Sequence, residues 1–239
     1  MTEWFEQWFG EEYLHVYPHR GDEDAARLVG LLEREGIGQP GEALLDLACG
    51  PGRHAAALAC CGARVVGLDL SRALLHAAQR RGTGPLVRGD MRRLPFRAAS
   101  FDGVLNLFTS FGYFADEGEH PVVVGEVARV LRPGGRFVLD FLNPPAVRAG
   151  LVPHDERRSG GRTVVQERRI SDDGRFVIKS IHLSDDSRTF TERVRLFERA
   201  DLEAMCDGAG IRPESVQGDY EGAPYGPASP RLIVIGRRA

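Results

Sequence analysis

At 239 residues, with 42% hydrophobic and 27% charged residues and a net charge of −3, the chain has the length of one domain with an elaboration. That composition excludes a disordered polymer, and no apolar run approaches the ~20 residues a membrane-spanning helix needs. The near-neutral charge speaks against nucleic acid as a partner, since its binders carry a strong basic surplus.

The N-terminal MTEWFEQW is acidic and aromatic, unlike a secretory leader. Trp4, Phe5, Trp8 and Phe9 recur at helical spacing, and a second amphipathic helix opens at Ala25 and ends at Gly36. Residues 1–40 therefore read as a helical segment. His15 and His19 stand four apart, but Pro18 breaks the helix between them and no acidic third ligand follows, so no metal site is expected. From residue 43 strands alternate with helices, which implies a parallel sheet. The strands are placed at 43–48, 64–69, 85–89, 102–108 and 136–142, with helices starting near Gly52, Ser71 (an N-cap) and Gly118. Pro133-Gly134-Gly135 makes a tight turn before the fifth strand. Over 160–198 three alternating runs, TVVQERRI, RFVIKSIHL and RTFTERVRLF, are separated by turns at Asp172-Asp173-Gly174 and Asp185-Asp186-Ser187. A helix at 199–207 and strands at 213–220 and 231–237 complete a seven-stranded sheet with an antiparallel hairpin at its edge. Lys179 is the single lysine, and Cys49, Cys60, Cys61 and Cys206 make no metal-like spacing; free thiols in a reducing cytoplasm are expected.

The chemistry begins at LLDLACGPGRHAAALA, residues 44–59, followed by VVGLDLS, residues 65–71. One apolar run ends in Asp46, turns at Gly50 and Gly52, and becomes helical; a second ends in Asp69. This is the strand–loop–helix–strand unit of a nucleotide-binding sheet. Glycines let the backbone turn sharply and a ligand come close, and the helix aims its positive end into the same crevice. Asp69, at a strand tip, is placed to accept two hydrogen bonds from a ribose diol, so an adenosine-containing cofactor is expected. Gly50, Gly52 and Ala55 also fit the dinucleotide pattern GxGxxA. Two details turn the reading away from NAD. Asp46 would repel a pyrophosphate but suits an ammonium or sulfonium group, and no second mononucleotide half follows.

With GDM at 89–91 and LRPGG at 131–135, the chain resembles the class I S-adenosylmethionine-dependent methyltransferases over roughly its whole length. It is most similar to a group of small bacterial enzymes of undefined substrate, at WFEQWFGEEYLHVYPHR, VLNLFTSFGYF and GDYEGAPYGPASPRLIVI. The resemblance implies an α/β, Rossmann-like seven-stranded sheet with helices on both faces and a three-stranded antiparallel insertion after the fifth strand. It divides the chain into an N-terminal helical lid (1–40), an S-adenosylmethionine-binding core (41–143 and 199–239) and a substrate-side insertion (144–198).

Residue by residue, the resemblance puts Asp46 near the methionine ammonium and Ala48, Gly50 and Gly52 in the floor. Asp69 holds the ribose, Leu70 packs on the adenine, Asp90 accepts from its amino group, and Met91 meets the ring. Asn106 to Phe108 flank the methyl group. Tyr17, His19 and Arg20 belong to a segment that folds over the cofactor in similar enzymes, and Arg20 is the preferred grip on the methionine carboxylate. A surface arginine is the plain alternative, and Arg53 or His54 reaches the same carboxylate or merely starts a helix. For the acceptor, Phe111, Tyr113 and Phe114 follow the fourth strand at the edge where ligands bind, with core packing as the bland alternative. His154, His182 and Tyr113 are the candidate bases. No catalytic dyad is required, because the donor carries the hard chemistry and the protein supplies alignment.

The leading reading is in-line methyl transfer to N or O of a small molecule. RNA or protein methylation is one alternative, although NLFTSF stands where base-modifying enzymes often carry an NPPY-type motif. The insertion's many arginines interleave with acids, as on a mixed solvated face. A non-catalytic S-adenosylmethionine-binding module and a nicotinamide oxidoreductase are the others. The oligomeric state is left open.

Overall fold

Alternating apolar residues fold the centre of the chain into a sheet buried on both faces. The computed structural model describes residues 3–17 and 22–239. Two short helices, α1 (Trp4–Trp8) and α2 (Glu11–Val16), precede α3 (Asp22–Arg34). Then come β1 (Ala43–Leu47), α4 (Arg53–Cys60), β2 (Arg64–Asp69), α5 (Arg72–Arg80), β3 (Leu86–Arg88) and β4 (Phe101–Asn106). The sheet continues through α6 (Glu119–Val130) and β5 (Leu131–Leu142), and after an insertion through α8 (Arg199–Gly208), β10 (Ile211–Gln217) and β11 (Arg231–Arg238). Its strand order is β10-β11-β5-β4-β1-β2-β3, with β11 antiparallel to both neighbours and the other pairs parallel.

Strand periodicity divides the core. Leu45 and Leu47 of β1, Val104 of β4 and Phe137, Leu139 and Phe141 of β5 pack on one face with α6 and α8. Leu44, Leu105 and Val138 point the other way, onto Leu28, Leu31 and Leu32 of α3 and Leu58 of α4. Successive residues serve opposite faces, so each strand reads as an unbroken apolar run. Strand order reverses between β1 and β4, and a crevice opens at the carboxyl ends there.

The insertion carries α7 (Pro144–Ala149) and four antiparallel strands, not three: β6 (His154–Ser159), β7 (Arg162–Ile170), β8 (Phe176–Leu183) and β9 (Asp186–Arg195), in that spatial order. The additional strand, HDERRS, has no apolar residue and so shows no hydrophobic alternation. The second hairpin turn is tighter than expected, with Asp186 already in β9 opposite Leu183. β5 begins at Leu131, and a register irregularity against β4 absorbs the Pro133–Gly135 turn. A third apolar cluster joins Trp8, Val16 and Tyr17 to Val164, Ile181, Leu183 and Phe190, which fastens the N-terminal helices onto the insertion sheet. Burying one side chain of this size contributes about 1.5–3 kcal/mol.

Candidate active site

After β1 the backbone enters the left-handed region at Ala48 (φ 59°), Gly50 (54°) and Gly52 (78°), then starts α4. The turn is tied to β2: the Gly50 N–H donates to Asp69 Oδ2 at 2.8 Å, and the Ser71 N–H to Oδ1 at 2.7 Å. Each Asp69 oxygen keeps a lone pair for a further donor. Burial raises the Asp69 pKa, against the pull of these amides. A Cβ at Gly50 would meet nothing within 4 Å, so the space above it is open. Gly52 is different. Its Cβ would lie 2.7 Å from Thr83 Cγ2 and 2.9 Å from Ala78 Cβ, so it is required for close packing against α5 and stands outside the cavity wall.

Asp46 also stands behind the wall. It is 1% exposed, and its Oδ2 has no hydrogen-bond partner. Burial, then the charge of Asp69, pushes its pKa up to about 7, opposed by the Ala55 amide and the Arg53 guanidinium. The cavity in front encloses about 950 Å³ counting its mouth. Ala48, Gly50, Asp69 and Leu70 enter its wall from the ends of β1 and β2, Asp90 and Met91 follow β3, and Phe108 follows β4. Burial alone would raise the Asp90 pKa, but Arg92, forked onto both oxygens at 2.6 and 3.0 Å, prevails and holds it low. Arg53 and His54 are buried in the same wall. His54 Nε2 has no partner, and desolvation, then Arg53 and Arg231, push its pKa down to about 3, so the imidazole is neutral at pH 7. Arg53 lies 4.9 Å from the centre of the Phe108 ring.

Residues 45–139 match the family model described as a methyltransferase domain. Over 203 residues the chain is 32% identical to the cypemycin N-terminal methyltransferase of a Streptomyces species, covering 82% of each protein. The chain belongs to the S-adenosylmethionine-dependent methyltransferases. A second relative of this methyltransferase is the dTDP-3-amino-3,4,6-trideoxy-alpha-D-glucopyranose N,N-dimethyltransferase of Streptomyces venezuelae, 31% identical over 189 residues, 75% of this chain and 79% of that one. Among solved structures, the sugar N-methyltransferase KedS8 from Streptoalloteichus superposes with a TM-score of 0.72 at 30% identity, over 96% of this chain and 93% of that one. The methyl donor is S-adenosylmethionine. The residues present fit it: partnerless buried atoms on Asp46 and His54, open space above Gly50, and two carboxylates, Asp69 and Asp90, reaching the wall from adjacent strand ends.

In this methyltransferase a second cavity, about 1460 Å³ with its mouth, lies between the sheet edge and the insertion. Phe9, Phe108 and Tyr113 line both cavities and form an aromatic neck between them. The Tyr113 hydroxyl donates to the Thr109 carbonyl at 2.5 Å, and Trp4 Nε1 donates to the Tyr113 carbonyl at 3.1 Å. Phe108 (φ 57°) and Thr109 (φ 63°) are both left-handed, a costly state for residues with side chains. Asp140 of β5 clamps them. Wholly buried, its carboxylate accepts from the Phe108 N–H (2.9 Å), the Tyr220 hydroxyl (3.0 Å) and Arg231 Nε (2.7 Å), while its carbonyl accepts from the Thr109 N–H (2.9 Å).

The donor cavity thus gathers Ala48, Gly50, Asp69, Leu70, Asp90, Met91, Phe108, Phe111 and Tyr113. Several other expectations need correction. Tyr17 turns toward the insertion, where its hydroxyl donates to Glu192 at 3.1 Å and accepts from Lys179 at 3.0 Å. Asn106 is buried in the sheet, its Nδ2 donating to Leu47 and Ser110 carbonyls at 3.2 and 3.3 Å, so it ties strand ends together behind the wall. His154 is exposed at the start of β6 and lines neither cavity, because strand alternation turns Asp155 inward instead. Phe111 touches only the donor cavity and packs mainly on His120 and Phe197. Arg20 lies outside the described residues.

Tyr13 and Phe5 of the donor cavity, and Asp155, Lys179 and Glu192 of the second, were not among the residues singled out as candidates. Asp140 had a readable signal: an acid within the apolar run RFVLDFL needs a buried partner.

Proposed function

We propose that this methyltransferase transfers a methyl group to an amine nitrogen of a small molecule held in the second cavity. The neck of Phe9, Phe108 and Tyr113, shared by the two cavities, carries this reading. It gives a donor on one side and an acceptor on the other a common line of approach. The names of the relatives support nitrogen, since all three specify N-methylation or a terminal amine.

S-adenosylmethionine supplies an electrophilic methyl group on a sulfonium. In our reading Asp69 holds the ribose hydroxyls from the lone pairs left over by Gly50 and Ser71. Leu70 and Met91 cover the adenine, and Asp90 accepts from its amino group. Asp46, behind Ala48 and Gly50, balances the ammonium, and Arg53 takes the carboxylate. The ring faces of the neck favour a cation passing between them. The chain's main contribution is alignment, which in well-oriented systems supplies about 7–11 kcal/mol. Four unpaired cysteines suit a reducing compartment, and we assign the chain to the cytoplasm.

Titration calorimetry with S-adenosylhomocysteine, with NAD as control, tests the donor cavity. Labelled S-adenosylmethionine with matched panels of small amines and alcohols tests the acceptor. Label in amines alone is the expected result; label in alcohols alone would overturn the assignment of nitrogen.

A further inference from the structure

The insertion sheet presents a row of charges to the second cavity. Arg168, Lys179 and Glu192 are direct register partners across β7, β8 and β9, and Asp155 reaches Arg168 from β6. The order across the sheet is acid, base, base, acid. Each base leans on a carboxylate at its outer side: Arg168 Nη2 lies 2.7 Å from Asp155 Oδ2, and Lys179 Nζ 2.5 Å from Glu192 Oε2. The two bases themselves stand directly opposite one another.

Like charges opposed on an antiparallel pair destabilise a sheet. The adjacent rows avoid this, with Gln166, Ile181 and Phe190 in one and Ile170, Val177 and Val194 in the other. Side-chain exposures of 20% for Arg168 and 18% for Lys179 leave water little room to screen the repulsion. Folding alone gives no reason for such a pair. A third cation in the wall, Arg231, is already matched by Asp140 at 2.7 Å.

We propose that Arg168 and Lys179 together form a binding site for an anionic substituent, a carboxylate or a phosphate, carried by the methyl acceptor. The proposal rests on reading the second cavity as the acceptor site. A guanidinium fork and an ammonium point charge side by side suit such an anion, which would relieve their repulsion. The flanking acids keep the site from collapsing onto itself while it is empty of substrate.

Because Lys179 is the only lysine, protein labelled with [13Cε]lysine gives one lysine side-chain signal, and it reports from this site. With S-adenosylhomocysteine present, the signal is followed during titration with malonate, inorganic phosphate, or sodium chloride at matched ionic strength. A saturable shift with malonate or phosphate beyond that of chloride is expected, and the anion acting at lower concentration identifies the substituent. Arg168→Gln is expected to weaken the response about tenfold or more, whereas Arg169→Gln, on the opposite face of the same strand, leaves it unchanged. A Lys179 signal that moves no further than in chloride, or moves equally in both variants, overturns the proposal. If Arg168→Gln does not fold, the comparison of anions with chloride in the unaltered protein still decides. Normal S-adenosylhomocysteine affinity with a silent Lys179 removes this inference alone, while absent affinity strikes the donor-cavity assignment instead.

Discussion

A carboxylate with an orphaned oxygen, buried near a second carboxylate, resists ionisation, and Asp46 is in that position. In an unfolded chain it ionises near pH ~3.9, but in the fold only at about 7. Between these values the native state holds a proton that the unfolded state has released. The stability associated with Asp46 is therefore complete below about pH 4 and is lost as pH rises toward 7. Asp46→Asn is expected to flatten that slope, as read from urea midpoints across the range. A ligand ammonium near Asp46 favours the ionised form, so S-adenosylhomocysteine binding just below pH 7 should release a proton. The calorimetric enthalpy would then vary with buffer ionisation heat in the wild type and much less in Asp46→Asn. Asp69 acts both on the turn and on the cavity. Asp69→Ala should weaken S-adenosylhomocysteine binding by about 10- to 100-fold, from ~1–3 kcal/mol of lost hydrogen bonding, and also lower the melting temperature. A fall in melting temperature alone would withdraw the ribose assignment.

Among the elements, the junction of α4 with α5 and the clamp beside β4 are the tightest. Gly52→Ala combines φ 78° with contacts under 3 Å to Thr83 and Ala78. A loss of about 1–3 kcal/mol is expected in urea unfolding. Thr83→Ser removes the nearest methyl group and should return part of it in the double variant. At the clamp, Asp140→Ala leaves the Arg231 guanidinium buried without its partner, with an expected cost of about 3–5 kcal/mol. Tyr220→Phe removes a single donor to Asp140 and should cost about 1 kcal/mol. Equal losses in these two variants would show that Arg231 does not depend on Asp140 for its stability.

For the whole molecule, the N-terminal helices join parts that the sheet alone does not. Trp8 Nε1 donates to Glu192 at 2.8 Å, while Phe5, Phe9 and Tyr13 line the donor cavity. Deleting residues 1–21 should uncover the apolar cluster on the insertion sheet, raising binding of a hydrophobic dye, and should weaken S-adenosylhomocysteine binding. Unchanged affinity would show that these helices are dispensable for the donor cavity. Much of the sheet was legible in the sequence, because strands buried on both faces appear as apolar runs and those ending in Asp46 and Asp69 carry their glycine turn beside them. The donor cavity inherited that clarity, since its residues follow strand ends. The second cavity did not. β6 is wholly polar, and Lys179 and Glu192 become neighbours only through hairpin register. The contact of Tyr17 with Glu192 joins residues 175 positions apart, which no local pattern encodes.

Phe9 belongs to the walls of both cavities, and this has a kinetic consequence. A shift of α1 that opens one cavity also disturbs the other, so entry of the acceptor and exit of the spent donor are coupled events rather than independent ones. Turnover is then expected to follow a compulsory order, with both substrates aboard before either product departs and with the spent donor acting as a potent brake on the next cycle.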